Sequence, residues 1–340
     1  MIKIKFFLKK YWLFLILSLI IGSLIGIYLI NKNQGQKVKS LLSIPSQKIE
    51  SYPVKAHFNI NLLEENIKNI DHELDVYEIS NIPFSNEEAL KIANIFNLNN
   101  QPKVYTDQRT NNIFYEWLTE DKFLTINLSN RTINFELITP NLEKNNQLSD
   151  LNVFETLSQN LLKENQLYPQ EPINLDLKNK NYLKINKTLY QETNSLIEAN
   201  GVIIKYQYQI SNKKIVGAEI SLVFNSNKEL IKFNYQPPPK LIKFISLYPL
   251  KNKTEIIKEL ENIKAINFFD IPNYYATYSE IKNLNKIDLN KIEIVYIKNE
   301  LSQGYLQPFF LISGEGVLND GRTAEVGLYL PAIKDEYLLK

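Results

Sequence analysis

The sequence predicts an α+β protein: a single N-terminal transmembrane helix, then about three units that each pack one helix on an antiparallel sheet. Three observations predict it. Residues 11–30, YWLFLILSLIIGSLIGIYLI, run for twenty residues without a charge. Beyond them, apolar residues at helical spacing recur at 85–96, 150–162 and 254–263, each time followed by alternating segments. Each unit closes on a hairpin that stops at proline, at Pro140, Pro237 and Pro331. One helix covering one sheet is the layer arrangement such a pattern builds.

As a helix the uncharged run is about 30 Å long, the thickness of a bilayer's hydrocarbon core. Tyr11, Trp12 and Tyr28 stand at its ends, where amphipathic rings suit the headgroup region, and Lys9 and Lys10 flank it with stems that reach back to water. A cleaved signal peptide is the rival reading, and the basic start MIKIKFFLKK would suit one. The run, however, exceeds the usual h-region of about 7–15 residues, and no small-residue cleavage site follows. Four lysines and the α-amino group precede the span; Lys32, Lys37 and Lys39 follow it. The bias places the N-terminus in the cytoplasm and the body outside it. The absence of cysteine accords with an exported body. Ser18, Gly22 and Gly26 recur at four-residue spacing, a small-residue face on which a second copy or another protein's span would pack.

The resulting organisation is a basic cytoplasmic tail (1–10), the span (11–30), a polar stalk (31–52) and units at 53–141, 142–239 and 240–340. In the first unit Ser85 and Glu88 form an S-x-x-E capping box, followed by Ala89, Ile92, Ala93 and Phe96 on one face. KVYTD, NIFYEWL and the pair KFLTINL–SN–RTINFELI follow as strands. Phe123, Thr125 and Asn127 alternate with Leu124, Ile126 and Leu128, which predicts one wet face. In the second unit Phe154, Leu157, Leu161 and Leu162 share a helix face; NYLKINKTLY, VIIKYQYQIS and the pair VGAEISLVF–NSNK–ELIKFNY follow. Pro237-Pro238-Pro239 reads as a stiff spacer. In the third, Thr254 opens a helix whose Ile256, Leu260 and Ile263 share a face. KIEIVYI, FFLISGEGVL and AEVGLYL follow, with Asp320-Gly321 as a hairpin turn.

Charge bounds the partners. Seven of the 39 basic residues and none of the 37 acidic ones fall in residues 1–40, so the remainder carries a net charge of −5. Nucleic acid, which needs a basic face, is not an expected partner. Only His57 and His72 offer imidazoles, and His72 lies in DHELD, whose neighbours do not converge on a strand or a helix. H-E-x-x-H, G-x-x-x-x-G-K, G-x-G-x-x-G and G-x-S-x-G are all absent. No metal, cofactor or catalytic residue is therefore expected. Gly314-Glu315-Gly316 marks a bulge or close packing within a strand. Phe268, Phe269, Tyr274, Tyr275 and Tyr278 either close the third unit's core or line a groove for a partner.

The capped N-E-E-A-L helix followed by a meander with a tight turn resembles the PepSY domain over Phe84–Pro140. The other units fit more loosely. The family's Asp-x-x-Thr-Gly turn is replaced here by Leu128-Ser129-Asn130-Arg131-Thr132, without glycine. An N-terminal anchor followed by tandem units of this kind resembles the YycH/YycI type of membrane-tethered bacterial regulator. That resemblance implies association with a sensor histidine kinase and supplies no catalytic residues. The expected function is thus a membrane-anchored, extracytoplasmic binding or regulatory protein that presents its modules to a protein partner. The alternatives are a structural subunit of an envelope or secretion assembly and an unrecognised surface hydrolase.

Overall fold

The computed structural model describes residues 41–339 except 48, 62, 64–66, 68–69, 81, 141, 143–147, 187–188, 272–277 and 299–303. Short strands β1 (Ile44–Pro45), β2 (Tyr52–Pro53) and β3 (His57–Asn59) lead into β4 (Glu73–Ser80) and helix α1 (Asn86–Ile95). A meander follows: β5 (Lys103–Thr106), β6 (Ile113–Leu118), β7 (Lys122–Asn127) and β8 (Thr132–Leu137). After α2 (Leu151–Glu164) come β9 (Ile173–Asn186), β10 (Leu189–Glu192), β11 (Gly201–Ile210), β12 (Lys213–Asn225), β13 (Leu230–Gln236) and β14 (Lys240–Pro249). Then α3 (Lys253–Leu260), β15 (Ala265–Ile266), β16 (Phe268–Asp270) and α4 (Tyr278–Ile281) precede the last strands. These are β17 (Leu284–Ile297), β18 (Tyr305–Leu306), β19 (Pro308–Leu318), β20 (Thr323–Pro331) and β21 (Leu338–Leu339).

Fourteen of these strands hydrogen-bond into one sheet. Its central strand is β12, which pairs antiparallel with β11 along one edge and with β13 along the other. From β13 the ladder continues through β8, β7 and β6 to β5, and from β11 through β9 to β10. A β-bulge in β12 admits a further branch: Ile215 and Val216 pair in parallel with Tyr296 and Ile297 of β17, which carries β3 and the β19–β20–β16 ladder. The amide of Gln207 donates to the carbonyls of Ile215 and Ala218 and fixes this bulge. Gly217 turns it with φ +80, a backbone state that costs glycine little. A second sheet, β14–β4–β18, is tied to the bulge region by Asp75, whose carboxylate accepts from Tyr77 (2.9 Å) and Ser211 (2.7 Å).

The main core lies between this sheet and its helices. On α1, Ala89, Ile92, Ala93 and Phe96 are buried, and Phe96 stacks on Phe135 of β8 (4.2 Å between centroids) and lies against Phe233 of β13 (5.9 Å). On α2, Phe154 and Leu162 are buried, with Phe154 against Phe224 of β12. Ser158, also buried on that face, bonds the Tyr206 hydroxyl, so a polar residue occupies the helix–sheet contact at no unsatisfied cost.

Two expectations require correction. The fold is mainly β, and it is not a row of separate helix-on-sheet units. The stretches ELDVYEIS, INLDLKNK and LIKFISLYP are strands, and the closing strand of one expected unit, β8, pairs with the closing strand of the next, β13. The physical reason is the edge: had each hairpin ended its own sheet, its outer N–H and C=O groups would have stayed unpaired. The second correction concerns the single-pass anchor. Among the described residues no helix is long and apolar enough to cross a membrane. The longest, α2, has fourteen residues and is amphipathic, about 21 Å against the 30 Å needed. Residues 11–30 met a length rule, but a span must also be a helix, and they lie outside the described residues.

Candidate functional site

A groove of about 440 Å³ opens where the β7–β8 turn, the α2–β9 connection and the three prolines after β13 meet. Its floor is Tyr208 of β11 and Tyr235 of β13, both buried. The two strands flank β12, so the antiparallel register brings the rings to one face of the sheet. One wall is Leu167 to Glu171, which includes the partly exposed ring of Tyr168; another is Pro237–Pro239 with Lys240 and Leu241. The third holds Ile82, exposed at 45%, with Glu88 and Arg131.

Arg131 owes its place to the turn. The Asn127 side-chain oxygen accepts from the Asn130 amide (3.1 Å), and Arg131 itself takes a left-handed φ of +58. Its guanidinium lies over the Phe84 ring at 4.2 Å. The polar contacts of that guanidinium are long: 3.8 Å to the Glu88 carboxylate and 3.5 Å to the Ile82 carbonyl. Glu88 is engaged elsewhere, since its other oxygen accepts from the Ser85 amide at 2.7 Å. Beside Arg131, the Tyr208 and Tyr235 hydroxyls lie against each other. Tyr208 Oη makes no well-formed hydrogen bond among the described residues. Burial pushes both phenols above their ordinary value; the Tyr208 hydroxyl and the Arg131 charge pull Tyr235 partly back. The corner therefore sets a cation beside two buried phenols that lie against each other.

Two other buried polar groups are held within the fold. Lys251, exposed at only 4%, is held between Glu259 and Asp335. Tyr296 donates to the Asp75 carbonyl at 2.7 Å, and burial raises its pKa further than the nearby Asp75 charge does. Among the described residues no group of His, Cys, Asp and Glu could hold a metal ion.

Of the residues singled out from sequence, Lys9, Lys10, Tyr11, Trp12, Ser18, Gly22, Gly26 and Tyr28 lie outside the described residues, as do Tyr274 and Tyr275. The membrane as partner, association through a span and a cell-membrane location with an extracytoplasmic body all rested on the anchor. They are corrected with it, since no described helix could cross. Tyr278 begins α4. Phe268 packs at the edge of the cluster of Val295, Ile297, Phe309 and Leu311, near Tyr329, and Phe269 is half-buried in β16. Neither Phe268 nor Phe269 lines the groove. Tyr208 and Tyr235 went unremarked because, in their strands, they alternate as ordinary inward aromatics. Arg131 entered only as one residue of the turn Leu128–Thr132 that stands in place of the family's Asp-x-x-Thr-Gly.

No family model matches the chain, and no curated protein matches it. Among solved structures the chain is similar to an uncharacterized protein from Eubacterium rectale ATCC 33656, at 12% identity and a TM-score of 0.46, over 83% of this chain and 88% of that one.

Proposed function

We propose that the protein is a binding module that holds an extended polypeptide segment of a partner in the groove between Arg131, Tyr168 and Pro237–Pro239. The observation that carries the reading is the groove itself: an open channel with exposed apolar walls at Ile82 and Tyr168 above a floor of buried phenols. Mixed apolar contact and a few placed polar groups suit recognition of a polypeptide. Proline walls lose little entropy when a ligand orders against them. A signalling protein is the partner class that the YycH/YycI-type resemblance implies.

Panning a library of short displayed peptides against the immobilised full chain tests this. The expected result is an enriched consensus whose binding is lost on Tyr168→Arg and kept on Leu118→Arg, a change at an exposed residue outside the groove. A library that yields no consensus, or one indifferent to Tyr168→Arg, overturns the reading.

A further inference from the structure

Strand β14 leads out of the groove. Its first residues, Lys240 and Leu241, line the groove wall next to the three prolines, and the strand runs on from there to Pro249. It is the outer strand of the β14–β4–β18 sheet. One edge pairs with β4; along 240–247 the other pairs with no strand among the described residues. An unpaired edge of this length is a template for another chain. It is apolar as well: Ile242 and Phe244 are 56% and 53% exposed, and Leu247 is exposed too.

Charge decides the occupant. Residues 240–250 hold two lysines and no acid. Lys240 is exposed, and Lys243 meets Glu78 at 3.2 Å in a pair whose side chains are 64% and 36% exposed, a bond worth little. A second copy of β14 would set its own lysines against this edge with no acid to answer them. Residues 1–40, with seven lysines and no acid, would do the same. Register shifts against β4, between Leu241 and Lys243 and between Phe244 and Ser246, further guard the strand against its own copy. An extended segment that carries acidic residues among apolar ones meets no such barrier.

Resting on the polypeptide reading above, we propose that the partner's segment continues past the groove and adds to the free edge of β14 as a further strand, and that acidic and apolar residues alternate along it. Main-chain bonds to β14 give the affinity of such an addition. Its carboxylates against Lys240 and Lys243, and its apolar side chains against Ile242 and Phe244, give the choice of sequence.

The test uses a peptide enriched in the panning, one whose binding depends on Tyr168, added to the full chain. At saturation, amide exchange in 242–248 should slow about tenfold or more as the edge gains partners, while 284–297 is unchanged. This measurement needs no substitution, so a variant that misfolds does not obscure it. Lys243→Glu, a change outside the groove, should weaken the peptide about three- to tenfold. Replacing the peptide's acidic residues by lysine should cost affinity for the wild type and restore it for Lys243→Glu. A peptide that binds through Tyr168 yet leaves 242–248 unprotected overturns the strand addition while the polypeptide reading stands. Affinity indifferent to both charge changes overturns the acidic segment. If 242–248 becomes protected when the chain alone is concentrated, with a dimer seen in sedimentation, the occupant is a second copy and the inference is overturned. A library with no Tyr168-dependent consensus removes the polypeptide reading itself, and this inference falls with it.

Discussion

Gly314 shows how finely the strand ladder is set at single residues. A Cβ built there would lie 1.9 Å from the carbonyl oxygen of Asp288, which is backbone and cannot rotate away. The register of β17 against β19 shifts at this level, between Leu289 and Lys291, so the bulge presses the two chains together. Two residues on, a Cβ at Gly316 would meet only the ends of the Leu284 and Val326 side chains, at 2.7 and 2.9 Å. Gly314→Ala should therefore destabilise by roughly 1–3 kcal/mol, the range of overpacking, and Gly316→Ala by clearly less. Denaturant midpoints of the two variants decide it; equal losses would mean that the bulge relaxes freely. The sequence reading of Gly314-Glu315-Gly316 as a bulge or close approach holds, because glycine inside an apolar strand has few other uses.

At the scale of elements, helix starts were the most legible feature, and they make a prediction about pH. Ser85 and Glu88 form the expected capping box: the Ser85 hydroxyl accepts from the Glu88 amide at 3.1 Å, and the Glu88 carboxylate accepts from the Ser85 amide at 2.7 Å. That backbone bond is the main reason the Glu88 pKa lies below its ordinary value of 4.5. A carboxyl with a lowered folded pKa adds stability above its ordinary value and loses it as pH falls through the folded one. Glu88 is largely solvated, so the effect is a few tenths of a kcal/mol. Glu88→Gln keeps a side-chain acceptor and removes only the charge. Its thermal midpoint should fall slightly below wild type near neutrality and converge with it on acidification well below pH 4.5. A difference constant with pH would exclude the charge as its source. Ser85→Ala, which removes the cap itself, should cost about 1 kcal/mol. The cap of the third helix lies two residues before the expected Thr254. Thr254 lies inside α3, and Asn252 is its cap, with Glu255 completing a second box. Asn is abundant throughout the chain, so Asn252 does not stand out as a cap from the sequence. On β7 the alternation predicted a wet Asn127, yet that residue is buried because its side chain holds the turn that carries Arg131.

Across the whole molecule, what the sequence could not show was which edges meet. Alternation reports that a strand has an inner face; it is silent on the neighbour beyond its hairpin. Hence β6, β7, β8, β12 and β13 were legible as strands while the pairing of β8 with β13 was not, and the groove depends on that pairing. Tyr235 stands beside Arg131 only because Tyr235 pairs with Ile133 across the junction. The same junction carries the core: Phe96 from α1 touches both Phe135 and Phe233, on strands from two of the expected units. Phe233 is fully buried, so Phe233→Ala should cost about 3–5 kcal/mol. The informative quantity is where that loss is felt. If the ladder from β5 to β10 is one cooperative body, amides in 113–137 and in 201–236 should exchange faster together, by a similar factor, as a shared opening becomes cheaper. Hydrogen exchange read on peptides from the two segments measures this directly. Acceleration confined to 201–236, with 113–137 still protected, would show that the two halves open independently. The junction would then be a docking of separate sheets, and the groove above it would be free to change width as they move.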